Sequence, residues 1–438
     1  MTDHLLDVPW GKDHLTIPIP EQWDLLGVML PSTVSTPLDP RPEAEKSLSA
    51  PIGLPPLMEL VRPGMKIALV IDDESRPTPV DRLLPAVLSE LQRSGIHPDQ
   101  VTVIPALGVH HGMSEAALAR RVGESIFSKL HWESHDSDCA DKLAFLGTTK
   151  RGTPVYINKT VAQADLILSV GCIEPHIIAG FGGGYKNLVP GVAGRTTIAH
   201  NHSLNCRPDT FNSVGQPLEH NPMRMDLEEA AGMIKAPVFI INAVLDSALK
   251  VVRVVSGHPL AAHREGMRTS AKIYGAAIPS LADVVISSSH PMDIDLRQGV
   301  KALANTIRAL RPGGVMITVI RAEEGVGVFG LANRKLPVGR GALKLLAPAL
   351  LPLVPRLKLR GMGEEDRFFL YFALQAMRRG DLLVYAPTIP AGTRANLPFV
   401  TFMDNIDSAL ARARVRFPRK AGVLVFPHGG STYPILPS

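Results

Sequence analysis

Cysteine is scarce in this chain: Cys139, Cys172 and Cys206 are scattered through 438 residues. No CxxC spacing occurs, so neither a disulfide framework nor a cysteine zinc site is expected. Uninterrupted apolar stretches are lacking too. The most apolar window, Leu343 to Leu359, is broken by Lys344, Pro348, Pro352, Pro355, Arg356 and Lys358, which predicts a helical hairpin or lid and no membrane span. The opening residues, MTDHLLDVPWGKDHL, show no basic segment followed by an apolar one, so no secretory signal is expected and the reading is cytoplasmic. A dominant charge is also missing, since 46 Lys and Arg against 41 Asp and Glu leave a formal +5. The one modest basic cluster, Arg412, Arg414, Arg416, Arg419 and Lys420, reads as a solvated face near a helix end. Neither a nucleic acid nor a membrane is an expected partner.

What is present is ordinary globular composition, 45% hydrophobic and 20% charged. A single hydrophobic core rarely grows beyond about 250–300 residues, so two domains are expected. Short apolar, β-branched runs recur at Lys66–Ile71, Val101–Leu107, Leu166–Val170, Val238–Leu245, Val251–Val255, Val284–Ser287, Val315–Ile320, Leu382–Tyr385 and Gly422–Phe426. Such runs fit strands buried on both faces. Their alternation with helix-like stretches such as Val80–Ser94, Ser114–Val122 and Leu296–Leu310 argues for βαβ units. The expected fold is α/β: two α/β domains with mostly parallel sheets flanked by helices, and an active site in the interdomain crevice. The boundary is placed at Ala271, giving residues 1–271 and 272–438. The proline-rich opening up to Pro56, with Trp10 and Trp23, is expected to pack over the first domain.

Chemistry-bearing residues gather in blocks at predicted strand ends, where open α/β sheets bind ligands. In IDDESRPTP (71–79), Pro77 and Pro79 stiffen the backbone after Arg76, whose fork suits a carboxylate or phosphate, and Asp72 or Asp73 can orient a neighbouring histidine. In ALGVHHGMSEAAL, His110 and His111 are adjacent, and Ser114 is a candidate helix N-cap. The richest block, GCIEPHIIAGFGGGYKNLVPGVAGRTTIAHNH (171–202), runs from His176 through Gly180, Gly182, Gly183 and Gly184 to Lys186, then to His200 and His202. Its glycines let backbone amides approach a ligand, and a lysine beside them serves as a phosphate contact or a covalent attachment point. It matches neither a P-loop nor a clean GxGxxG. In HPMDIDLRQGVKAL (290–303), Arg297 and Lys301 stand four apart and Gln298 and Lys301 three apart, so a helix puts them on one stripe as a clamp for an acid. RAEEGVGVFG (321–330) and PHGGSTYP (427–434) read as turns.

Taken together, these blocks resemble the lactate racemase family of nickel-pincer nucleotide enzymes. The resemblance implies an isomerase, a racemase or epimerase inverting C2 of a 2-hydroxy acid by reversible hydride transfer. It also implies a pyridinium-3,5-bisthiocarboxylic acid mononucleotide nickel cofactor attached covalently to Lys186 beside Gly182, Gly183 and Gly184, with His202 as the nickel ligand. By the same resemblance His110 and His176 are the acid/base pair, Asp73 supports a catalytic histidine, and Arg76, Gln298 and Lys301 orient substrate. Where the family usually has Arg after the first histidine this chain has His111, and a Tyr often found before the glutamine is Arg297. Ser75 and Gly183 replace a Thr and a Ser. Arg297 adds a cation to the clamp, so a substrate more polar or more anionic than lactate is expected. Expected partners are that substrate and the cofactor-biosynthesis proteins needed for maturation, with self-association left open. The competing readings are a zinc hydrolase or lyase using His110, His176 and His202, and a non-catalytic nucleotide binder on the same scaffold.

Overall fold

A computed structural model describes residues 4–32, 37–327, 329–336, 338–357 and 364–437. It divides into two compact units. One, called here the N-terminal unit, contains the described residues from 37 to Leu204 and Pro217–Ile273; the other, the C-terminal unit, contains those up to Ser32, Asn205–Gln216 and those from Tyr274 onward.

The N-terminal unit is built on a six-stranded sheet in the order 251–257, 238–245, 166–172, 67–72, 101–106, 131–132. All neighbours are parallel except the pair Val238–Leu245 and Val251–Gly257. Strands Ile67–Asp72, Leu166–Cys172 and Val238–Leu245 are buried at every position, which is why they read as continuous apolar runs without alternation. Helices Pro40–Ser49 and Val80–Arg93 cover one face, the second through Leu83, Leu84, Val87 and Leu91. Ser114 caps helix Glu115–Val122 by accepting from the Ala117 amide at 3.2 Å.

The C-terminal unit carries a second six-stranded sheet in the order 401–403, 380–385, 310–319, 282–288, 422–426, 24–28, with every neighbour parallel. The opening segment departs from expectation here. Strand Asp24–Val28 pairs with Gly422–Phe426, and the hairpin His4–Trp10/Asp13–Ile19 sends Val8, Trp10, Ile17 and Ile19 into the core beneath this sheet. The reason lies in residue spacing. Within 4–19 the buried side chains alternate with exposed ones, the period of a half-buried strand, and Asp24–Val28 extends the parallel ladder by one strand. Only the later part of the opening, with Ala44 and Leu48, joins the N-terminal unit.

The apolar window forms helix Arg340–Leu350, which packs beside helix Glu364–Arg379 with Leu343 and Ala347 buried; Lys358 and Leu359 lie outside the described residues, as does Val328 of the 321–330 block. No helix among the described residues is long and apolar enough to cross a membrane. Trp23, 2% exposed, donates its indole N–H to the Phe417 carbonyl at 3.0 Å. Trp23→Ala is therefore expected to cost roughly 3–5 kcal/mol through lost burial and the cavity left behind, read as a lowered denaturation midpoint in urea.

Candidate active site

Strand order creates the site. Strand Ile67–Asp72 lies between Val101–Ala106 and Leu166–Cys172. The chain first crosses to one side of it and later returns on the other, a topological switch point. Parallel strands all deliver their chain at the same edge, so the loops that follow these strands converge there. They hold the first, second and third motif blocks.

The central contact joins two of those loops. His110 Nδ1 stands 2.7 Å from Asp73 Oδ2. A carboxylate only accepts, so Nδ1 carries the proton and Nε2 keeps the lone pair, the tautomer of a general base. Burial opposes the charge on Asp73, but hydrogen bonds from His110 and Ser75 outweigh it and hold the carboxyl well below its usual range. Asp72 has a different task. It accepts from Thr78 at 2.5 Å and pairs with Arg121, whose guanidinium also binds the carbonyls of Arg76 and Thr78 at 3.0 Å each. Burial nevertheless pushes the Asp72 carboxyl up to about 6. Arg121, on helix Glu115–Val122, thus locks the 72–78 loop. Motif reading missed it because a helical arginine carries no local signal.

Arg76 joins the first block to the third by an ion pair with Glu174 at 2.6 Å. Burial works against its charge, while Glu174 and Asp73 more than restore it. Two residues on, His176 Nδ1 accepts from the amides of Ile178 and Ala179 at 3.2 Å each. Its neutral form therefore carries the proton on Nε2, opposite to His110.

The glycine loop is shaped by packing. Gly183 (φ +72°) and Gly184 (φ +64°) lie in the left-handed region, and a Cβ on Gly183 would stand 2.7 Å from Ile173 and 2.9 Å from the Cys172 carbonyl. Two amides of this loop have protein partners: Gly182 donates to the Glu174 carbonyl at 2.8 Å and Gly184 to Asn242 Oδ1 at 2.9 Å. The glycines thus serve backbone shape and set the turn Gly184–Asn187, which carries half-buried Lys186. Beneath the loop, fully buried Arg224 donates to the Phe181 carbonyl at 3.2 Å and pairs with Glu228 at 2.6 Å. His263 donates from Nε2 to the Gly182 carbonyl at 2.8 Å. Burial, then Arg224 and Arg264, lower the His263 pKa well below its ordinary value, so it stays neutral. Neither residue sits in a recognisable motif.

His202, 6% exposed, rides on helix Arg195–Ser203 and donates from Nδ1 to the Ile198 carbonyl at 2.9 Å. That bond fixes the tautomer with the lone pair on Nε2, the form that ligates a metal. The helix is anchored by buried Asp226, which accepts from Thr149 at 2.5 Å, Thr153 at 2.7 Å and Asn201 at 2.8 Å. Thr153 in turn accepts from His200 at 2.8 Å. Among the described residues, no group of three or more His, Cys, Asp or Glu side chains is placed to hold a metal ion; a centre with His202 as its one protein donor is not a group of that kind. His111 is exposed. In the C-terminal unit, helix Leu296–Thr306 carries half-buried Arg297, Gln298 and Lys301, with Asp295 capping it at the Gln298 amide at 2.7 Å.

A carboxylate-backed histidine, an anchored arginine and a glycine-turn lysine follow neighbouring strands of one largely parallel sheet, the layout of an α/β enzyme fold. Residues 10–212 match the model of the lactate racemase N-terminal domain. The chain is 31% identical over 331 residues to the lactate racemase of Lactiplantibacillus plantarum, and 30% identical over 329 residues to that of Thermoanaerobacterium thermosaccharolyticum; each match covers 74% of this chain and 76% of the relative. The lactate racemase apoprotein structure from the latter organism superposes with a TM-score of 0.85 at 26% identity, covering 99% of this chain and all of that one. A structural-genomics protein from Thermotoga maritima, at 16% identity and a TM-score of 0.64 over 92% of this chain, shares the fold. The chain belongs to the lactate racemase family and is an isomerase of the racemase type.

Replacing Gly183 by Ala should cost at least ~2 kcal/mol, because left-handed strain and overpacking add. A lowered melting temperature with faster amide exchange in residues 180–188 is the expected readout.

Proposed function

We propose that the protein inverts C2 of a 2-hydroxy acid by reversible hydride transfer, using a nickel-pincer nucleotide attached to Lys186. The observation that carries this reading is the Asp73–His110 contact in the same unit as a glycine-turn lysine and a buried histidine whose tautomer is set for metal ligation. The residues fit the group. Lys186 supplies the amine for the tether, and His202 offers one neutral imidazole, a donor suited to nickel alongside sulfur ligands. Held by Lys186 and His202, the group would supply a reversible hydride acceptor for C2. Loading requires cofactor-biosynthesis proteins of the host.

The chain's own residues handle the proton and the carboxylate. His110 takes the hydroxyl proton at Nε2, and ionised Asp73 holds the ring's orientation and stabilises the imidazolium that forms. His176, with its proton on Nε2, donates a hydrogen bond to the same substrate oxygen. To exchange a proton itself, its ring must first leave the Ile178 and Ala179 amides. Arg76 binds the substrate carboxylate, held in place by Glu174, and Arg297, Gln298 and Lys301 orient the rest of the acid. Arg297 adds a guanidinium fork beside Gln298 and Lys301, a donor set suited to a substrate more polar than lactate.

Protein from a host with the cofactor pathway should show a mass increment on the peptide containing Lys186. In that host His202→Ala should lose most of its nickel, whereas His110→Ala and His176→Ala should keep the metal and lose roughly 10²–10⁴-fold in turnover. An unmodified Lys186 in active enzyme, or nickel lost from His176→Ala and kept by His202→Ala, would reverse these roles.

The hydride route is separable from proton abstraction. A C2 hydrogen returned to the carbon it left does not exchange with solvent. Racemisation in heavy water should therefore leave C2 free of deuterium by NMR, and stoichiometric incorporation there would establish a carbanion route instead.

A further inference from the structure

Residues 341–355 read GALKLLAPALLPLVP, in which Lys344 is the only charged or polar side chain. A helix that is apolar all round belongs in a core, because each side needs an apolar neighbour. Helix Arg340–Leu350 and the turn Val354–Arg356 after it bury one side only. Leu343, Ala347, Leu351 and Val354, three and four apart, are buried, and both elements pack on helix Glu364–Arg379. The opposite stripe, Ala342, Leu345, Leu346, Ala349 and Leu353, faces solvent. Leu345 is 81%, Leu346 45% and Leu353 51% exposed, so three large aliphatic side chains stand uncovered on one surface.

Both ends of this segment are pinned, so the stripe cannot turn inward. Arg340 donates to the Phe399 carbonyl at 2.7 Å, and Arg367 donates to the Pro355 carbonyl at 3.4 Å. Arg340 and Lys344 also reach one carboxylate, Asp381, at 3.3 and 3.6 Å, so two cations share a single acid. Burial lowers the Arg340 pKa, Asp381 opposes it and Arg412 adds to it, which brings a third cation near. No acidic residue occurs between Glu324 and Glu364, and Arg356, just beyond Leu353, is exposed.

An aliphatic stripe edged by cations suits one kind of occupant. Protein partners usually meet through about one hydrogen bond per 100–200 Å², and these side chains can make none. A second copy placed face to face would set Lys344 and Arg356 against cations of their own kind, with no acid in the segment to answer them. A bilayer boundary needs apolar insertion without directional bonds, and an anionic leaflet attracts the cations. At about 1.5 Å per residue the helix is roughly 16 Å long, too short to span a bilayer but able to lie along one. We propose that the outward stripe of helix Arg340–Leu350 docks the protein on an anionic lipid bilayer, with Leu345, Leu346 and Leu353 entering the headgroup boundary beside Lys344 and Arg356. The expectation of no membrane partner rested on the lack of a span and of a dominant charge. Neither bears on a short helix whose exposed stripe is set by its packing. Docking of this kind is independent of the chemistry in the N-terminal unit.

Full-length protein would be sedimented with vesicles of phosphatidylcholine alone, and of phosphatidylcholine and phosphatidylglycerol in about equal parts. Wild type should bind the anionic vesicles at least roughly tenfold more strongly than the neutral ones, and added salt should weaken that binding. Leu345→Asp should weaken it roughly tenfold or more, by removing an inserted side chain and adding a repelled charge. Lys344→Gln should weaken it up to about fivefold. Met58→Asp, at an exposed apolar residue of the N-terminal unit, should leave it unchanged. Should a variant melt early, a polarity-sensitive fluorophore on Leu345→Cys reads insertion directly, in a Cys139→Ser background because Cys139 is the one cysteine not buried. Its emission should shift to the blue with anionic vesicles and stay unchanged with neutral ones. Equal binding to both vesicles, undiminished binding by folded Leu345→Asp, or an unshifted emission overturns the docking. Self-association of lipid-free protein that Leu345→Asp abolishes overturns it too, and assigns the stripe to a second copy.

Discussion

Each parallel strand must release its chain at the same edge of its sheet, and most of what is chemically interesting here follows from that constraint. Ile67–Asp72, Val101–Ala106 and Leu166–Cys172 are adjacent, so the loops after them are neighbours although they begin at residues 73, 107 and 173. A carboxylate from the first meets an imidazole from the second, and a guanidinium from the first meets a carboxylate from the third. The C-terminal sheet repeats the arrangement with a different pair of loops. The helices flanking each strand are the means by which the chain returns to start the next parallel strand.

Buried polar groups do the fine positioning. Arg121 holds the loop of Asp72 and Arg76, Arg224 and His263 hold the glycine turn, and Asp226 holds the helix of His202. Each is a charged or polar group removed from water, stable only because its hydrogen bonds are made. Such groups make a scaffold stiff at a few chosen places. The three histidines that matter differ mainly in what faces their Nδ1: a carboxylate for His110, amides for His176, a carbonyl for His202. His110 and His202 thereby carry the proton on Nδ1 and keep a lone pair on Nε2, whereas His176 carries its proton on Nε2.

Much of the fold was readable beforehand. The strands buried on both faces announce themselves as apolar runs, and Val238–Leu245 and Gly422–Phe426 have the bounds their composition suggests. The opening segment was harder. Its alternation of buried and exposed residues is a strand signal, but nothing local tells a strand which sheet it joins, and Asp24–Val28 pairs with a partner almost four hundred residues away. The short pairs Leu143–Thr148 and Pro154–Asn158 have mixed burial and no distinct pattern. Among site residues, those in dense motifs such as Asp73, His110 and Lys186 stood out. Arg121, Glu174, Arg224, Asp226 and His263 did not, because their significance is a partner distant in sequence.

By itself, the amino-acid sequence determined the class of fold, the strands of both sheets that are apolar on both faces, and which residue types crowd the strand ends. Those are properties of local composition and spacing, and they need no knowledge of neighbours. Tertiary structure alone decided which acid stands behind His110, since Asp72 and Asp73 are adjacent and chemically identical. Asp73 meets the imidazole while Asp72 turns to Arg121 and Thr78. It also decided that PHGGSTYP meets the loop after Ala282–Ser288. Hydrogen bonds and close packing depend on distance in space, and only the folded chain sets that distance.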